Sequence, residues 1–345
     1  MIHVGADLHH RFCYMTALDA SGRELSARAV PNRSAELRCY FEQFRGPVQV
    51  AVEACSFWPA FREAVGEGAE VHLVHRQRVK AIAAAKLKND RIDWGILAHL
   101  LRCDLLPKAW MADAETQALR QQVRLRASLV RQRTRSKNQV HALLHQQGLR
   151  FEGSDVFGNR GREWLATVEM PKGTRSAMKV HLKLIDEFSR QVAGQDRQLE
   201  QLRKKDVRAS WLETIPGIGK YSSLLLLAEI GDIQRFATKR ALCHYAGLIP
   251  WMRESADKRR SGGITRVGSP WLRWILVEAA QTAIRTAPEV NAWFQCLARR
   301  KHQHTAVVAV ARKLLVAVWS MLQDGVVYEE SHFAVNSARA KAGAN

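Results

Sequence analysis

The sequence has little that is typical of a secreted, zinc-binding or membrane protein. Its six cysteines form no CxxC pair and no other metal-ligand spacing, which argues against a zinc site and indicates reduced thiols in a cytosolic protein. We expect no signal peptide and no membrane span, because no apolar run approaches the ~20 residues that a bilayer requires. Acidic residues are also scarce, and none occurs between Glu115 and Glu152.

Length and charge limit the classes that remain. A chain of 345 residues is long enough for two or three domains with sizeable cores. Its net charge of +20 and isoelectric point of about 10.2 indicate a polyanionic partner. The 47% hydrophobic content and ten tryptophans favour packed domains over a basic tail. A basic binding protein without chemistry remains an alternative at this point.

The first 75 residues alternate between strand and helix patterns. Three successive strands followed by a strand–helix–strand unit form an α/β layer pattern. This order matches the RNase H-like fold, in which the first and fourth strands supply metal-binding acids. We expect strands at 2–8, 12–18, 25–30, 48–53 and 70–74, and helices at 34–44 and 57–65.

Four acidic residues lie where such a fold would gather them. Asp7 lies in the first strand and Glu53 ends the fourth, while Asp90 and Asp93 stand at the expected start of a helix. Residues three apart share one face of a helix, so this pair can point at one spot. Carboxylate oxygens are the ligands that Mg²⁺ prefers. A metal beside a basic surface indicates phosphodiester chemistry.

From residue 113 to about 150 the chain reads as one long helix with charge of a single sign. A second helix at 175–205 has similarly spaced apolar residues, and the two predict an antiparallel hairpin or a dimerising arm. Because like charges repel, the run favours nucleic-acid contact over a solvated scaffold. The basic residues are Arg120, Arg124, Arg126, Arg131, Arg133, Arg135 and Lys137. The expected seam is Val123, Ala127, Val130, Thr134, Lys137, His141 and Leu144.

A Pro-Gly-Ile-Gly turn at 216–219 is typical of a helix-hairpin-helix. Gly217 and Gly219 would let backbone amides approach a DNA phosphate at the start of the next helix, beside Lys220. An ordinary turn between helices is the alternative. Further helices are expected at 239–245, 270–287 and 302–323, the last as a core helix.

The segment 246–269 is rich in Gly, Ser and Arg, which predicts a mobile surface loop. On this pattern alone, Ser255 and Ser261 are turn residues. A serine hydroxyl is a poor nucleophile unless a base or a metal activates it.

Five motifs follow one another along residues 1–325: Gly5-Ala6-Asp7, Val52-Glu53-Ala54, Lys88 to Asp93, Ile215 to Gly219 and Ala246 to Arg273. In this order they resemble those of the DEDD-type insertion-sequence transposases, relatives of the Piv DNA invertase. That family joins a RuvC-like domain to a C-terminal serine domain. Its catalytic serine usually lies five residues after a loop proline, and counting from Pro250 gives Ser255 rather than Ser261. Here Ala256 replaces the usual glycine.

The resemblance implies a mechanism and a set of partners. Ser255 would attack a phosphodiester and become transiently linked to DNA, while Asp7, Glu53, Asp90 and Asp93 hold Mg²⁺ or Mn²⁺. A structured guide RNA from the element would select donor and target DNA, and dimers would pair into tetramers. The residues expected to contact nucleic acid are Arg120, Arg124, Arg131, Arg135, Lys137, Gly217, Gly219, Lys220, Arg253, Lys258, Arg259 and Arg273.

The expected fold class is α/β plus all-α, in four parts. These are a RuvC-like, RNase H-like domain at 1–108, a coiled-coil hairpin at 109–206, a helical serine transposase domain with the helix-hairpin-helix at 207–328, and a disordered tail at 329–345. A cytoplasmic, nucleoid-associated enzyme is expected. One rival is a Holliday-junction resolvase-like nuclease that uses water as its nucleophile. The other is a non-catalytic nucleic-acid-binding protein, in which the acids serve only the fold.

Overall fold

The computed structural model describes residues 1–75, 79, 90–255 and 258–329; at 90–94, 252–255 and 258–261 it describes the backbone alone. Lys88, Asn89, Ala256 and the expected tail beyond residue 329 lie outside the described residues. The chain divides into two compact units, Met1–Met111 and the part from Ala112 onward. The hairpin and the C-terminal helices, expected as separate domains, both belong to the second unit.

The first unit is built on a five-stranded sheet. Its strand order is β3-β2-β1-β4-β5. The pairs β1–β2 and β2–β3 are antiparallel, and β1–β4 and β4–β5 are parallel. A meander followed by a parallel crossover is what the sequence predicts. The strands are β1 Ile2–Leu8, β2 Phe12–Leu18, β3 Glu24–Pro31, β4 Val48–Glu53 and β5 Glu70–Val74.

Helices cover both faces of this sheet. The helices α1 (Ser34–Glu42) and α2 (Trp58–Val65) pack on one face, over alternate strand residues such as Ala6 and Val52. The opposite face carries α3 (Asp90–Arg102), whose leucines pack against Ala51 and Val74. Because strand side chains alternate between faces, this split assigns each strand residue to one side. The helix expected to begin near Asp90 begins there.

The second unit is mostly helical. The long helices α4 (Ala114–Gln146) and α6 (Lys172–Lys205) run antiparallel, since Arg126 pairs with Asp196 while Val140 packs near Met178. Later elements carry the C-terminal core. They are α7 Val207–Glu213, α8 Lys220–Ile230, α9 Lys239–Tyr245, β6 Pro250–Ser255, β7 Lys258–Ile264, α10 Pro270–Thr286, α11 Pro288–Ala298 and α12 Gln303–Asp324. The short helix α5 (Asn159–Thr167) lies between the two long helices in the chain and packs against them through Leu165.

The seam of α4 departs from the expected heptad. Its buried residues are Val123, Ala127, Ser136, Val140 and Leu144. The expected Thr134 and His141 are exposed, because an α-helix drifts by about 20° per heptad from a strict seven-residue repeat. On α6 the buried residues Met178, Ile185, Val192 and Leu199 are those predicted.

The helix α12 is long and apolar enough to cross a membrane, which the sequence reading did not foresee. It is the one such helix in the described part of the chain, and half of its apolar window is buried within the unit. Val310, Leu314 and Met321 are fully buried against α9 and α10. This burial is that of a core helix, as predicted.

Candidate active site

Asp7 and Glu53 lie side by side at the carboxyl ends of the neighbouring strands β1 and β4; this end of the sheet is called its carboxyl edge below. Ala6 pairs with Val52 in the parallel β1–β4 ladder, so the next residue of each strand comes level with the other. Both carboxylates alternate with residues of the α1/α2 face. They therefore belong to the face that α3 covers.

The direction of α3 brings its first residues to the same edge. Its last residue, Arg102, lies at the opposite edge, where its Nε is 3.2 Å from a Cβ placed on Gly22 of the β2–β3 turn. Arg102 also contributes to lowering the pKa of His3, after burial and the chain's amino terminus. Thus α3 runs antiparallel to β1.

Element lengths place Asp93 level with Asp7. From Arg102 to Asp93 the helix rises about 13 Å, and from His3 to Asp7 the strand rises about 13 Å. The backbone of Asp93 therefore reaches the level of the strand acids, with Asp90 one turn beyond. The side chains of Asp90 and Asp93 lie outside the described residues.

The surroundings of Asp7 are open and polar. Its side chain is 36% exposed, and its Oδ2 lies 3.0 Å from Nε2 of His9, which follows the strand. Behind it, burial raises the pKa of the Cys13 thiol to about 12, so this cysteine is a neutral core residue. Asp7 is thus accessible at an edge where the neighbouring thiol carries no charge.

These residues suit a hard divalent cation. Oxygen ligands from separate elements, one of them partly exposed, are what Mg²⁺ requires when it keeps several waters. Within the residues that the structure describes, no three His, Cys, Asp or Glu side chains already form a metal-binding group. Two members of the expected tetrad, Asp90 and Asp93, are described in their backbone alone.

The segment expected to be a mobile loop instead contains a β-hairpin. The strands β6 and β7 pair from Pro250 opposite Ile264 to Ser255 opposite Lys258. Ser255 is therefore the last residue of β6, whereas Ser261 lies opposite Met252 within the ladder. The side chains of Ser255, Ser261, Arg253, Lys258 and Arg259 lie outside the described residues.

The base of this hairpin is fixed by glycines. Gly247 and Gly268 both adopt positive φ, and a Cβ on Gly268 would lie 2.0 Å from the carbonyl oxygen of Tyr245. The amide of Ser269 donates to that same oxygen at 2.8 Å. Only glycine fits such a close approach with positive φ.

Arg273 supports the hairpin base from inside. Its Nη1 donates to the carbonyl oxygen of Ala246 at 3.1 Å, and burial, together with Arg266, lowers its pKa. In the structure this arginine, expected to contact nucleic acid, binds the protein's own backbone.

A buried glutamate joins three helices next to this base. Glu229 of α8 is 1% exposed; its Oε1 accepts from Arg124 of α4 at 2.7 Å, and its Oε2 accepts from Ser269 at 2.9 Å. Ser269 also caps α10 through the amide of Leu272. Neither Glu229 nor Ser269 was selected from the sequence. A lone acid in the apolar run Leu224–Ile230 was the available signal, since buried charges require partners.

The basic face of α4 divides into two groups. Arg120 donates to the carbonyl oxygens of Ala228 and Glu229, Arg124 pairs with Glu229, and Arg126 pairs with Asp196. These three side chains hold the unit together. Further along, Arg131 lies over Trp271, with 4.5 Å between its Cζ and the ring centroid, and Lys137 lies over Phe157 at 4.8 Å.

The two glycines of the Pro-Gly-Ile-Gly turn have different surroundings. Gly217 has φ +84°, and a Cβ there would lie 2.2 Å from the carbonyl oxygen of Ala279 in α10. Gly219 begins α8 in open space. Its amide donates to Oγ of Ser222 at 2.8 Å, and Lys220 pairs with Glu200 at 3.5 Å. Gly217 is thus required by packing, whereas the surface beside Gly219 is accessible.

A mixed α/β unit joined to a mostly helical basic unit is the arrangement expected of an RNase H-like DEDD transposase. Comparison with known proteins agrees. A family model described as a DEDD transposase matches residues 4–148, and one described as Transposase IS116/IS110/IS902 family matches residues 209–295.

The relatives extend the match along the chain. A probable family 20 transposase of Pseudomonas aeruginosa is 28% identical over 342 residues, covering 94% of this chain and 98% of the relative. The transposase for insertion sequence element IS1111A of Coxiella burnetii is 26% identical, covering 81% and 79%. That for IS1328 of Yersinia enterocolitica is 26% identical, covering 82% and 86%. The chain belongs to the IS110/IS116 family of insertion-sequence transposases, enzymes that cut and rejoin DNA.

Proposed function

We propose that this transposase cuts and rejoins DNA through Ser255, with a divalent cation held by Asp7, Glu53, Asp90 and Asp93. The observation that carries the proposal is the meeting of three elements at the carboxyl edge of the sheet. Asp7 and Glu53 end neighbouring parallel strands on the face of α3, and α3 begins at their level. Mg²⁺ is the proposed ion, with Mn²⁺ as its substitute.

In the proposed reaction, Oγ of Ser255 attacks a DNA phosphorus. A serine–phosphorus ester forms, the bond to one strand oxygen breaks, and the serine proton passes to solvent while the leaving strand takes up a proton. A hydroxyl of another strand end then attacks the phosphoserine and releases Ser255. One phosphoester replaces another at each step, so no external energy source is needed. This serine chemistry is the proposed tie to the Piv-related enzymes.

The chain's own residues have distinct roles in this scheme. The four acids would hold the cation, which supplies charge stabilisation at the phosphate when it is bound. Ser255 ends β6 on a hairpin whose base is fixed by Gly247, Gly268 and Arg273. Arg253, Lys258 and Arg259 of the same hairpin would neutralise the phosphate.

Asp7→Asn tests the acidic site. The variant keeps the size of the side chain and loses a charge, so strand cleavage in Mg²⁺ should fall by at least two orders of magnitude while DNA binding is retained. Asp104→Asn is the matched control, because Asp104 is exposed in the same unit and follows the end of α3 that lies opposite the acids. Cleavage by Asp7→Asn at the wild-type rate would exclude this residue as a ligand.

Ser255→Ala tests the nucleophile. On a nicked suicide substrate the variant should bind DNA but form no covalent protein–DNA adduct and no recombinant product. Ser261→Ala, on the same hairpin, should retain at least part of both. Peptide mass mapping of the wild-type adduct identifies the linked residue, and an adduct on Ser261 would transfer the role to it.

The water-dependent rival makes a different prediction. In a Holliday-junction resolvase-like nuclease, cleavage would need the metal but leave no phosphoserine, and Ser255→Ala would cut normally. Membership of a transposase family favours an enzyme over the non-catalytic binding protein. The adduct therefore separates the two remaining mechanisms.

Guidance by a structured RNA and assembly of dimers into tetramers also belong to the proposal, as does action in the bacterial cytoplasm at the nucleoid. The net charge of +20 supports an RNA partner alongside DNA, with Gly219, Lys220 and Lys137 as candidate contacts. If guidance holds, recombination by the purified protein requires the transcribed flank of its element, and ribonuclease treatment abolishes it. Recombination unaffected by ribonuclease would remove the RNA from the scheme.

A further inference from the structure

A groove runs along the side of α4, where this helix faces α8 and α10. It has a volume of about 760 Å³, and its walls include Arg126, Arg131 and Arg135 from α4, Tyr221 from α8, and Trp274 and Glu278 from α10. Positive charge and aromatic rings therefore share one concave surface. None of these residues has a role in the proposed cleavage site.

Arg131 is held in place by stacking. Its guanidinium lies over the rings of Trp271 and Trp274, with 4.5 and 5.5 Å between Cζ and the ring centroids. The two rings meet edge to face at 6.2 Å. Since a stacked guanidinium keeps its N–H groups free at the edge, Arg131 can donate to an anion without losing this contact.

Some of the arginines that line the groove have no acidic partner within the described residues. Arg131 and Arg135 are exposed and form no ion pair within the described ranges of the chain, whereas Arg126 pairs with Asp196 and lies over Tyr221. Glu278 is the opposing carboxylate on the wall. Two uncommitted guanidiniums against one carboxylate favour a polyanion, with Glu278 limiting how closely phosphates pack beside it.

We propose that this groove binds single-stranded DNA, with phosphates on Arg131 and Arg135 and a base against Trp274. The inference rests on the proposed cutting and rejoining, in which a strand end has to leave one duplex before it is joined to another. Stacking of bases on aromatic rings together with phosphate contacts is the general mode of single-strand binding. A duplex is excluded from this mode because its bases are already stacked on one another.

The test uses the full-length protein and a fluorescein-labelled, mixed-sequence single strand of about 12 nucleotides. Fluorescence anisotropy gives Kd over a range of salt concentrations. In the double variant Arg131→Gln/Arg135→Gln, the plot of log Kd against log salt should lose about 1.4 from its slope, since each phosphate contact to a single strand contributes about 0.7. Trp274→Leu should weaken binding about 5- to 100-fold with the slope unchanged.

Control variants distinguish binding in the groove from a general effect of charge and from loss of folding. Arg133→Gln removes the same charge from the same helix outside the groove and should change Kd less than 2-fold. Trp274→Phe keeps a ring and should recover most of the affinity, because an aromatic face is what base stacking requires. Circular dichroism checks that each variant folds.

The alternative partners are outcomes of the same titration. If a duplex or an RNA strand of the same sequence binds more tightly and responds equally to the variants, the assignment to single-stranded DNA is wrong. If Arg133→Gln changed the salt dependence of Kd as much as the double variant does, the assignment of binding to the groove would also be wrong. Cleavage is not measured, so loss of the Ser255 mechanism would leave this result unaffected.

Discussion

Gly217 and Gly219 stand two residues apart in one turn and have opposite surroundings. At Gly217 the backbone has φ +84°, and the main chain of α10 occupies the space of a side chain. At Gly219 a side chain would meet open space. A sequence motif alone does not distinguish a glycine required by packing from one required by a ligand, whereas the two environments do.

This pair gives a prediction at the residue scale. Gly217→Ala should lower the free energy of unfolding by about 2–4 kcal/mol, combining positive φ with overpacking. Gly219→Ala should change it by less than about 1 kcal/mol. Urea titration measures both. If the start of α8 contacts phosphate, Gly219→Ala weakens DNA binding at unchanged stability; an equal loss of stability in both variants would contradict this division.

At the scale of elements, the joint between α4, α8 and α10 depends on one buried carboxylate. Glu229 is 1% exposed, whereas its partner Arg124 is 41% exposed. Loss of the arginine would leave a buried charge that keeps the hydroxyl of Ser269 as a partner but has lost its opposite charge. Loss of the glutamate's charge would leave an arginine that can turn to water. The two halves of the ion pair are therefore unequal.

We predict this inequality in measured stability. Arg124→Gln should destabilise the protein by about 3 kcal/mol and Glu229→Gln by about 1 kcal/mol, because only the former strands a buried charge. The double variant should be more stable than Arg124→Gln alone. Urea denaturation, with Arg133→Gln as the charge-matched control, measures the cycle. A larger loss for Glu229→Gln than for Arg124→Gln would contradict the argument.

Local patterns predicted the elements that have clear periodicity. Short apolar runs separated by turn and helix patterns predicted all five strands of the first sheet, and the strand-end positions of Asp7 and Glu53 followed from them. The β6–β7 hairpin was missed because residues 250–264 lack alternating apolar side chains and are fixed at the base by distant groups. Glu229 lies 105 residues along the chain from Arg124, so no local pattern shows that this arginine is an internal contact.

At the scale of the whole molecule, the stability of the first unit depends on acid through two buried histidines. His3 and His72 are both in the first unit, and burial lowers the pKa of each. The unfolded chain therefore binds protons at these residues at a higher pH than the folded chain does. By linkage, stability rises with pH where the unfolded state holds more protons. This contribution is complete above about pH 6.5 and is lost as the pH falls below it.

We predict that acidification from pH 7.5 to 5.5 lowers the melting temperature of the first unit. His3→Gln should reduce that shift, because a glutamine does not titrate. Differential scanning calorimetry of the wild type and the variant at both pH values measures the effect. The same shift in the variant would remove His3 from the account.

Because α3 runs antiparallel to β1, the number of residues between Arg102 and Asp93 sets the level of Asp93 relative to Asp7. An inserted residue between Trp94 and Arg102 would raise Asp93 by about 1.5 Å and rotate it by about 100° around the helix axis. The backbone positions of Asp90 and Asp93 would then no longer match those of Asp7 and Glu53, although all four acids are still present. Single-residue insertions in this helix should therefore silence transposition while Asp7 and Glu53 remain in place. A copy of the element could therefore be inactive although its sequence still contains all four acids.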